Sequence, residues 1–156
     1  MVNRSRRDAL RRVGASGALF AAFAAGVIRP SPALAARNQS AFDAQTMAEA
    51  MRSLGIAGTV ESQDIQIKAP EIAENGAVVP IEITSTIPGT QSISVFIEKN
   101  PFPYTGTFDV SQGALPFVAL RVKVGESSAV RVVVAAGGKY YAAAKEVKVT
   151  IGGCGG

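Results

Sequence analysis

From Asp64 onward, apolar and polar residues alternate with a period of two. In "DIQIKAP", Ile65 and Ile67 stand against polar neighbours; in "AVVPIEITSTI", Val79, Ile81 and Ile83 share one face; "SISVFIEK" does the same with Ile93, Val95 and Ile97. "FVALRVKV" sets Val118, Leu120, Val122 and Val124 against Arg121 and Lys123, and "EVKVTI" presents Val147, Val149 and Ile151. Such alternation predicts half-buried strands, because successive side chains of a strand point to opposite faces. "AVRVVVAAGGKYYAAA" reads as a hairpin, with Gly137-Gly138 free to adopt the positive φ of a tight turn. About seven short strands, punctuated by Asn-Gly, Pro-Gly and Asn-Pro pairs, predict a mainly β chain folded as an immunoglobulin-like antiparallel β-sandwich. Pro80, inside a strand pattern, predicts a sheet edge or a bulge.

Ahead of the strands the period changes. "SAFDAQTMAEAMRSLG" predicts one short amphipathic helix that starts at Ser40, with Asp43 three residues on, and stops at Gly55. Met47, Ala50, Met51 and Leu54 fall on one face of it, a stripe suited to core packing.

The first 35 residues read differently again. "SRRDALRR" is a twin-arginine segment, "VGASGALFAAFAAGVI" is apolar but diluted by Ala and Gly, and Ala33-Leu34-Ala35 supplies a signal-peptidase pattern. Residues 1–35 are therefore expected to be a signal peptide rather than a membrane span. Its removal would leave a mature chain that starts near Ala36, exported folded to the periplasm by the twin-arginine route and not bound to membrane. The leader also changes the meaning of the charge. Formal net charge is +4, yet six arginines against one acid lie in residues 1–35. Ten basic and eleven acidic residues remain after it, a net charge of −1, so a nucleic-acid partner has little support. With 47% hydrophobic and 18% charged residues the chain is globular in composition.

Candidate chemistry is sparse. The chain has no histidine and one cysteine, which removes Ser-His-Asp and Cys-His catalysis, the usual imidazole metal sites and any internal disulfide. Glu71, Glu74, Glu82 and Glu98 are expected on solvated faces, and no phosphate-cradling loop precedes a helix. What remains is the closing "VTIGGCGG". Gly152, Gly153, Gly155 and Gly156 leave the backbone slim and flexible around Cys154. From Ile151 the chain can carry that thiol about 10 Å outward, at roughly 3.3–3.6 Å per residue. A catalytic residue needs the opposite, a position fixed by packed neighbours, so the thiol is suited to being acted on by another protein. Three readings stay open on the residues alone: a covalent carrier, a disulfide tether from Cys154 to a partner or second copy, and a Gly155-Gly156 carboxylate activated as in ubiquitin-like carriers. Export argues against the last.

"PEIAENGAVVPIEI", "IEKNPFP" and the terminal "GGCGG", behind a twin-arginine leader, together resemble the Y subunit of the sulfur-carrier complex of the Sox thiosulfate-oxidising system. The resemblance runs from about Phe42 to Gly156. It implies a sulfur-oxidation protein that is not an enzyme. Its division would be a signal peptide over 1–35, a carrier domain over 36–151 and a swinging arm over 152–156. Cys154 would be the covalent attachment point, and Gly152, Gly153, Gly155 and Gly156 the arm. It implies no cofactor beyond sulfur adducts on Cys154. The implied partners are a Z subunit, forming a heterodimer or a higher oligomer, and three enzymes. A haem protein would join thiosulfate to the thiol as a cysteine S-thiosulfonate, a hydrolase would release sulfate, and a dehydrogenase would oxidise the sulfane sulfur. Within the resembling segments, Asn75-Gly76 reads as a turn between strands, and Pro101 and Pro103 as the fixed points of an extended loop.

Overall fold

The alternating segments become strands in the computed structural model, which describes residues 37–110 and 113–150. Among them lie two helices, α1 (Gln39–Asp43) and α2 (Met47–Ser53), and nine strands: β1 (Val60–Glu61), β2 (Ile65–Lys68), β3 (Ile72–Ala73), β4 (Val79–Ser85), β5 (Thr90–Ile97), β6 (Tyr104–Asp109), β7 (Phe117–Val122), β8 (Ser128–Ala136) and β9 (Lys139–Val149). The larger sheet runs β1-β9-β8-β5-β6, with β3 also beside β9, and the smaller runs β2-β4-β7. The chain is a mainly β, two-sheet sandwich, as the alternation predicts. Residues 1–36, 111–112 and 151–156 lie outside the described residues, and with them the expected signal peptide and arm.

Between the sheets sits an aliphatic core. Val79, Ile81 and Ile83 of β4 face Ile93, Val95 and Ile97 of β5 and Val130, Val132 and Val134 of β8, all essentially inaccessible to solvent. Burying a residue of this size is worth about 1.5–3 kcal/mol, and in β4 the intervening Pro80 and Glu82 point outward, so one register is selected there.

The other face of the larger sheet is covered too. Phe96, Val133, Ala142 and Tyr104 meet Ala41, Ala44 and Ala50, with Phe42, Met47, Met51, Leu54 and Tyr140 around them. The Phe42 and Phe96 rings lie 4.6 and 5.5 Å from that of Tyr104, both tilted, within the range favoured by aromatic pairs. The helices thus add a third layer. The stripe of Met47, Ala50, Met51 and Leu54 does turn inward.

The single expected helix is in fact two. Ala44 takes an extended backbone (φ −62°, ψ 131°), and the Thr46 hydroxyl accepts from the Glu49 N–H at 3.2 Å, starting α2 afresh. At the first start Asn38, not Ser40, is the cap: its Oδ1 accepts from the Ala41 N–H at 3.1 Å. Gly55 ends α2 as expected, at φ +74°.

The β8–β9 hairpin turns at Gly137 (φ +56°) and Gly138 (φ +74°), with Ala136 opposite Lys139. Two expected strands, "KYYAAA" and "EVKVTI", are one eleven-residue strand. So long a strand would leave a bare edge, a site for unwanted pairing. Two short segments cover it, and they run parallel to it: Val60 lies opposite Tyr141, and Ile72 opposite Lys148. The sandwich is otherwise antiparallel. Pro80 sits in β4, the middle strand of its sheet, opposite Arg121. The β2 ladder stops at Lys68–Glu82, so β4 has a neighbour on one side only at Pro80, which is locally the expected edge.

Candidate functional site: the end of the last described strand

Cys154 and Gly152, Gly153, Gly155 and Gly156 lie outside the described residues. What the structure places is the ground they stand on, the last residues of β9 and whatever holds them. β9 remains paired with β8 as far as Val147, opposite Ser128. Beyond that point β8 has ended, and other segments take over. The Lys148 N–H donates to the Glu71 carbonyl at 2.9 Å, and the Thr150 N–H to the Ala73 carbonyl at 3.1 Å. The Val149 N–H donates to Ser127 Oγ at 2.9 Å, and Thr150 Oγ1 to the Glu74 carbonyl at 3.2 Å. The chain is thus held to within four residues of Cys154.

Around this root the two internal segments of the family resemblance come together. Asn75 Oδ1 accepts from the Ala77 N–H at 2.8 Å, closing the expected turn, and the Gly76 carbonyl accepts from the Val124 N–H at 2.7 Å. From the other side Asn100 reaches across: its Nδ2 donates to the Lys123 carbonyl at 2.8 Å, and its Oδ1 accepts from the Gly125 N–H at 3.0 Å. Ser128 Oγ accepts from the Lys99 N–H at 3.0 Å. The connection from Lys123 to Ser127 is therefore gripped by "AENGA", by "EKNPFP" and by the end of β9 at once. Sequence reasoning made turns of these segments and gave them no common place. The pairings span 22 to 48 positions along the chain, beyond the reach of local pattern.

Of the four carboxylates expected on solvated faces, Glu71, Glu74 and Glu82 are exposed, and Glu98 is not simply so. Arg131 Nε donates to Glu98 at 2.8 Å, and its Nη1 to Glu61 at 3.1 Å, joining β8 to β1 and to the end of β5. Hydrogen bonding to Glu98 raises the Arg131 pKa above its ordinary value, against an opposing effect of burial, so the guanidinium stays charged. Glu98 departs from a solvated face because Arg131, half-buried on the helix-covered face, needs a counter-charge there.

A depression of about 290 Å³ lies beside the root, lined by Glu71, Ile72, Lys145, Glu146 and Lys148. A larger one, about 690 Å³, is lined by Ile87, Gly89, Thr90, Gln91, Val110, Gly113, Ala114 and Pro116. Thr90 lies opposite Ala136, at the far end of β8 from Ser128. Eight residue steps along β8 separate the two ends, about 26 Å at roughly 3.3 Å each. Four extended residues span at most about 14 Å, less than that separation, so this depression is remote from the end of β9. Exposed Phe108, Leu115 and Phe117 border a third, of about 380 Å³. Among the described residues no cluster of Cys, Asp or Glu is arranged to hold a metal ion, and no helix is long and apolar enough to cross a membrane.

These features define a class: a β-sandwich protein whose last described strand is anchored at its end by bonds to distant segments. Comparison with known proteins gives the class a family. The family described as sulfur oxidation protein SoxY matches residues 51–154, about two thirds of the chain. The solved structure of the sulfur carrier protein SoxY from Chlorobium limicola f thiosulfatophilum is similar at 45% identity and a TM-score of 0.63, covering 70% of this chain and 96% of that one. A superoxide reductase (neelaredoxin) from Ignicoccus hospitalis is similar at 19% identity and a TM-score of 0.49, over 56% of this chain and 80% of its own. No curated protein matches. This chain belongs to the SoxY family of sulfur carrier proteins, and its place is in sulfur oxidation.

Proposed function

We propose that this protein is a periplasmic, non-catalytic carrier that holds thiosulfate-derived sulfur on Cys154 while other enzymes oxidise it to sulfate. The observation that carries the reading is the anchored end of β9. The chain is fixed through Thr150, and the family match extends through Cys154 itself. A fixed root followed by Gly152, Gly153, Gly155 and Gly156 suits a swinging arm, and tethering gives successive enzymes a high effective concentration of the intermediate.

The chemistry divides as follows. Joining thiosulfate to the thiol makes a sulfur–sulfur bond and releases two electrons and a proton, which a haem protein accepts. Water then cleaves the terminal sulfone as sulfate, leaving a sulfane sulfur on Cys154 for a dehydrogenase. The carrier supplies the sulfur atom, its reach and its exposure, and no cofactor of its own. A Z subunit completes the carrier, and export on the twin-arginine signal of residues 1–35 brings the folded pair to the periplasm.

Intact mass spectrometry on protein recovered from periplasm, with and without thiosulfate, tests this. The expected result is a thiosulfate or extra-sulfur adduct mapped to Cys154, lost on reduction and absent from Cys154→Ser. That variant should melt at the wild-type temperature. A bare thiol, or a plain protein disulfide under both conditions, would overturn the carrier and favour a tether.

A further inference from the structure

The turn at Asn75-Gly76 joins β3 to β4. Gly76 is not among the glycines with positive φ, so the backbone of this turn does not demand that residue. What the pair brings together is a side-chain amide and a backbone nitrogen that no following side chain shields. Asn75 is exposed, so water reaches its amide. Its Oδ1 accepts from the Ala77 N–H at 2.8 Å. The ring closed by this bond contains both the Asn75 Cγ and the Gly76 nitrogen, so the amide is folded over the peptide ahead of it. The Gly76 N–H donates to no group among the described residues, while the Gly76 carbonyl is fixed by the Val124 N–H at 2.7 Å.

We propose that Asn75 and Gly76 form a self-modifying site, at which the chain cyclises on itself and then loosens its own hold on the β7–β8 connection. The Gly76 nitrogen attacks the Asn75 Cγ, a carbon its own turn holds close. A nitrogen–carbon bond forms, the Cγ–Nδ2 bond breaks, and Nδ2 leaves as ammonia, taking the proton that Gly76 gives up. Negative charge gathers on Oδ1 during the attack, where the Ala77 N–H already donates. Water then opens the five-membered ring at either carbonyl, giving aspartate by one route and isoaspartate by the other. No oxidant, reductant or cofactor is consumed. The isoaspartate route lengthens the backbone by one atom between positions 75 and 76 and displaces the Gly76 carbonyl from Val124. Val124 belongs to the connection whose Ser127 holds Val149 of β9. The other described asparagines lack this arrangement. Asn100 precedes Pro101, whose nitrogen carries no proton, and Asn38 caps α1 with Gln39, not glycine, after it. Cys154 takes no part in this chemistry, which stands apart from the carrier reading.

Incubation of the folded full chain at neutral pH, followed by peptide mass spectrometry and labelling with an isoaspartyl methyltransferase, tests the site. The expected product is a peptide about one dalton heavier at position 75 that accepts the label. It should form roughly tenfold faster than any change at Asn38, with Asn100 left intact. Asn75→Gln, whose longer side chain would have to close a six-membered ring, should stay unmodified. In the aged chain, amide exchange at Val124 should quicken about two- to tenfold, one hydrogen bond's worth, while Val130 and Val132 keep their protection. Freshly prepared Asn75→Asp keeps an acceptor for the Ala77 N–H, and its Val124 should exchange as in the unaged chain. A folded chain whose Asn75 stays intact, whether or not the urea-unfolded chain is converted, would overturn the site. Conversion that leaves Val124 fully protected would overturn the loosening.

Discussion

Asn100 acts as a piece of backbone supplied by a side chain. Its amide satisfies a carbonyl and an N–H in the β7–β8 connection, binding the loop before β6 to the segment that also holds the end of β9. Asn100→Ala leaves both groups without this partner and should cost about 1–3 kcal/mol, read as a lower urea midpoint. Asn100→Asp keeps the acceptor for Gly125 and should fall between. At the turn the glycines have room around them but not freedom of conformation: a Cβ at Gly137 or Gly138 meets nothing within 4 Å, and both φ angles are positive. Gly137→Val should therefore lose about 1–2 kcal/mol through backbone strain alone, while Gly137→Asn, tolerant of that region, should lose little. Around Cys154, width is expected to matter most. Gly153→Val should slow every partner reaction, measured as loss of sulfur transfer per enzyme, and leave the melting temperature as it was; normal turnover would end the idea that slimness matters.

At the scale of elements, the helical layer is where stability can be separated from helix formation. Thr46→Ala removes the cap of α2 and should cost about 1 kcal/mol. Phe96→Ala opens a cavity beneath both helices and should cost about 3–5 kcal/mol; equal losses in thermal unfolding would mean that the helices do not rest on the sheet. Six strands were legible in the sequence because their inward residues alternate. β6 was not, since "YTGTFD" carries a glycine, a bulge beside Val95–Phe96 and an outer run of exposed residues. β1 and β3, two residues each, are too short to show any period. In β5 and β8 the alternation is blurred, because Phe96 and Val133 are buried against helices on the face that alternation leaves to solvent. The break between α1 and α2 could have been found: Thr46-x-x-Glu49 has the spacing of a cap. Cys154 and its glycines were legible as a motif, whereas their anchor depended on bonds between distant segments.

For the whole molecule, body and arm are expected to be separable. The described hydrogen bonds that hold β9 end at Thr150, so removing Gly152–Gly156 should leave the melting temperature within a degree or so, because a surface change away from packed contacts stays within about 0.5 kcal/mol. The same deletion should abolish sulfur loading. A large loss of stability would show that the arm is part of the body.

β9 comes last of the nine strands in chain order and yet lies inside its sheet, between β8 on one side and β1 and β3 on the other. During synthesis, then, the earlier strands must wait. Until Lys139–Val149 leaves the ribosome, β8 has an open edge along its Val132–Val134 run, and β1 and β3 have no partner in the sheet. Domains fold as units while chain is delivered at about 5–20 residues per second, so this unit closes only when the strand next to Cys154 arrives. A chain that ends before Lys139–Val149 lacks the thiol and the closed sheet together, and its bare apolar edge on β8 is open to unwanted pairing and proteolysis.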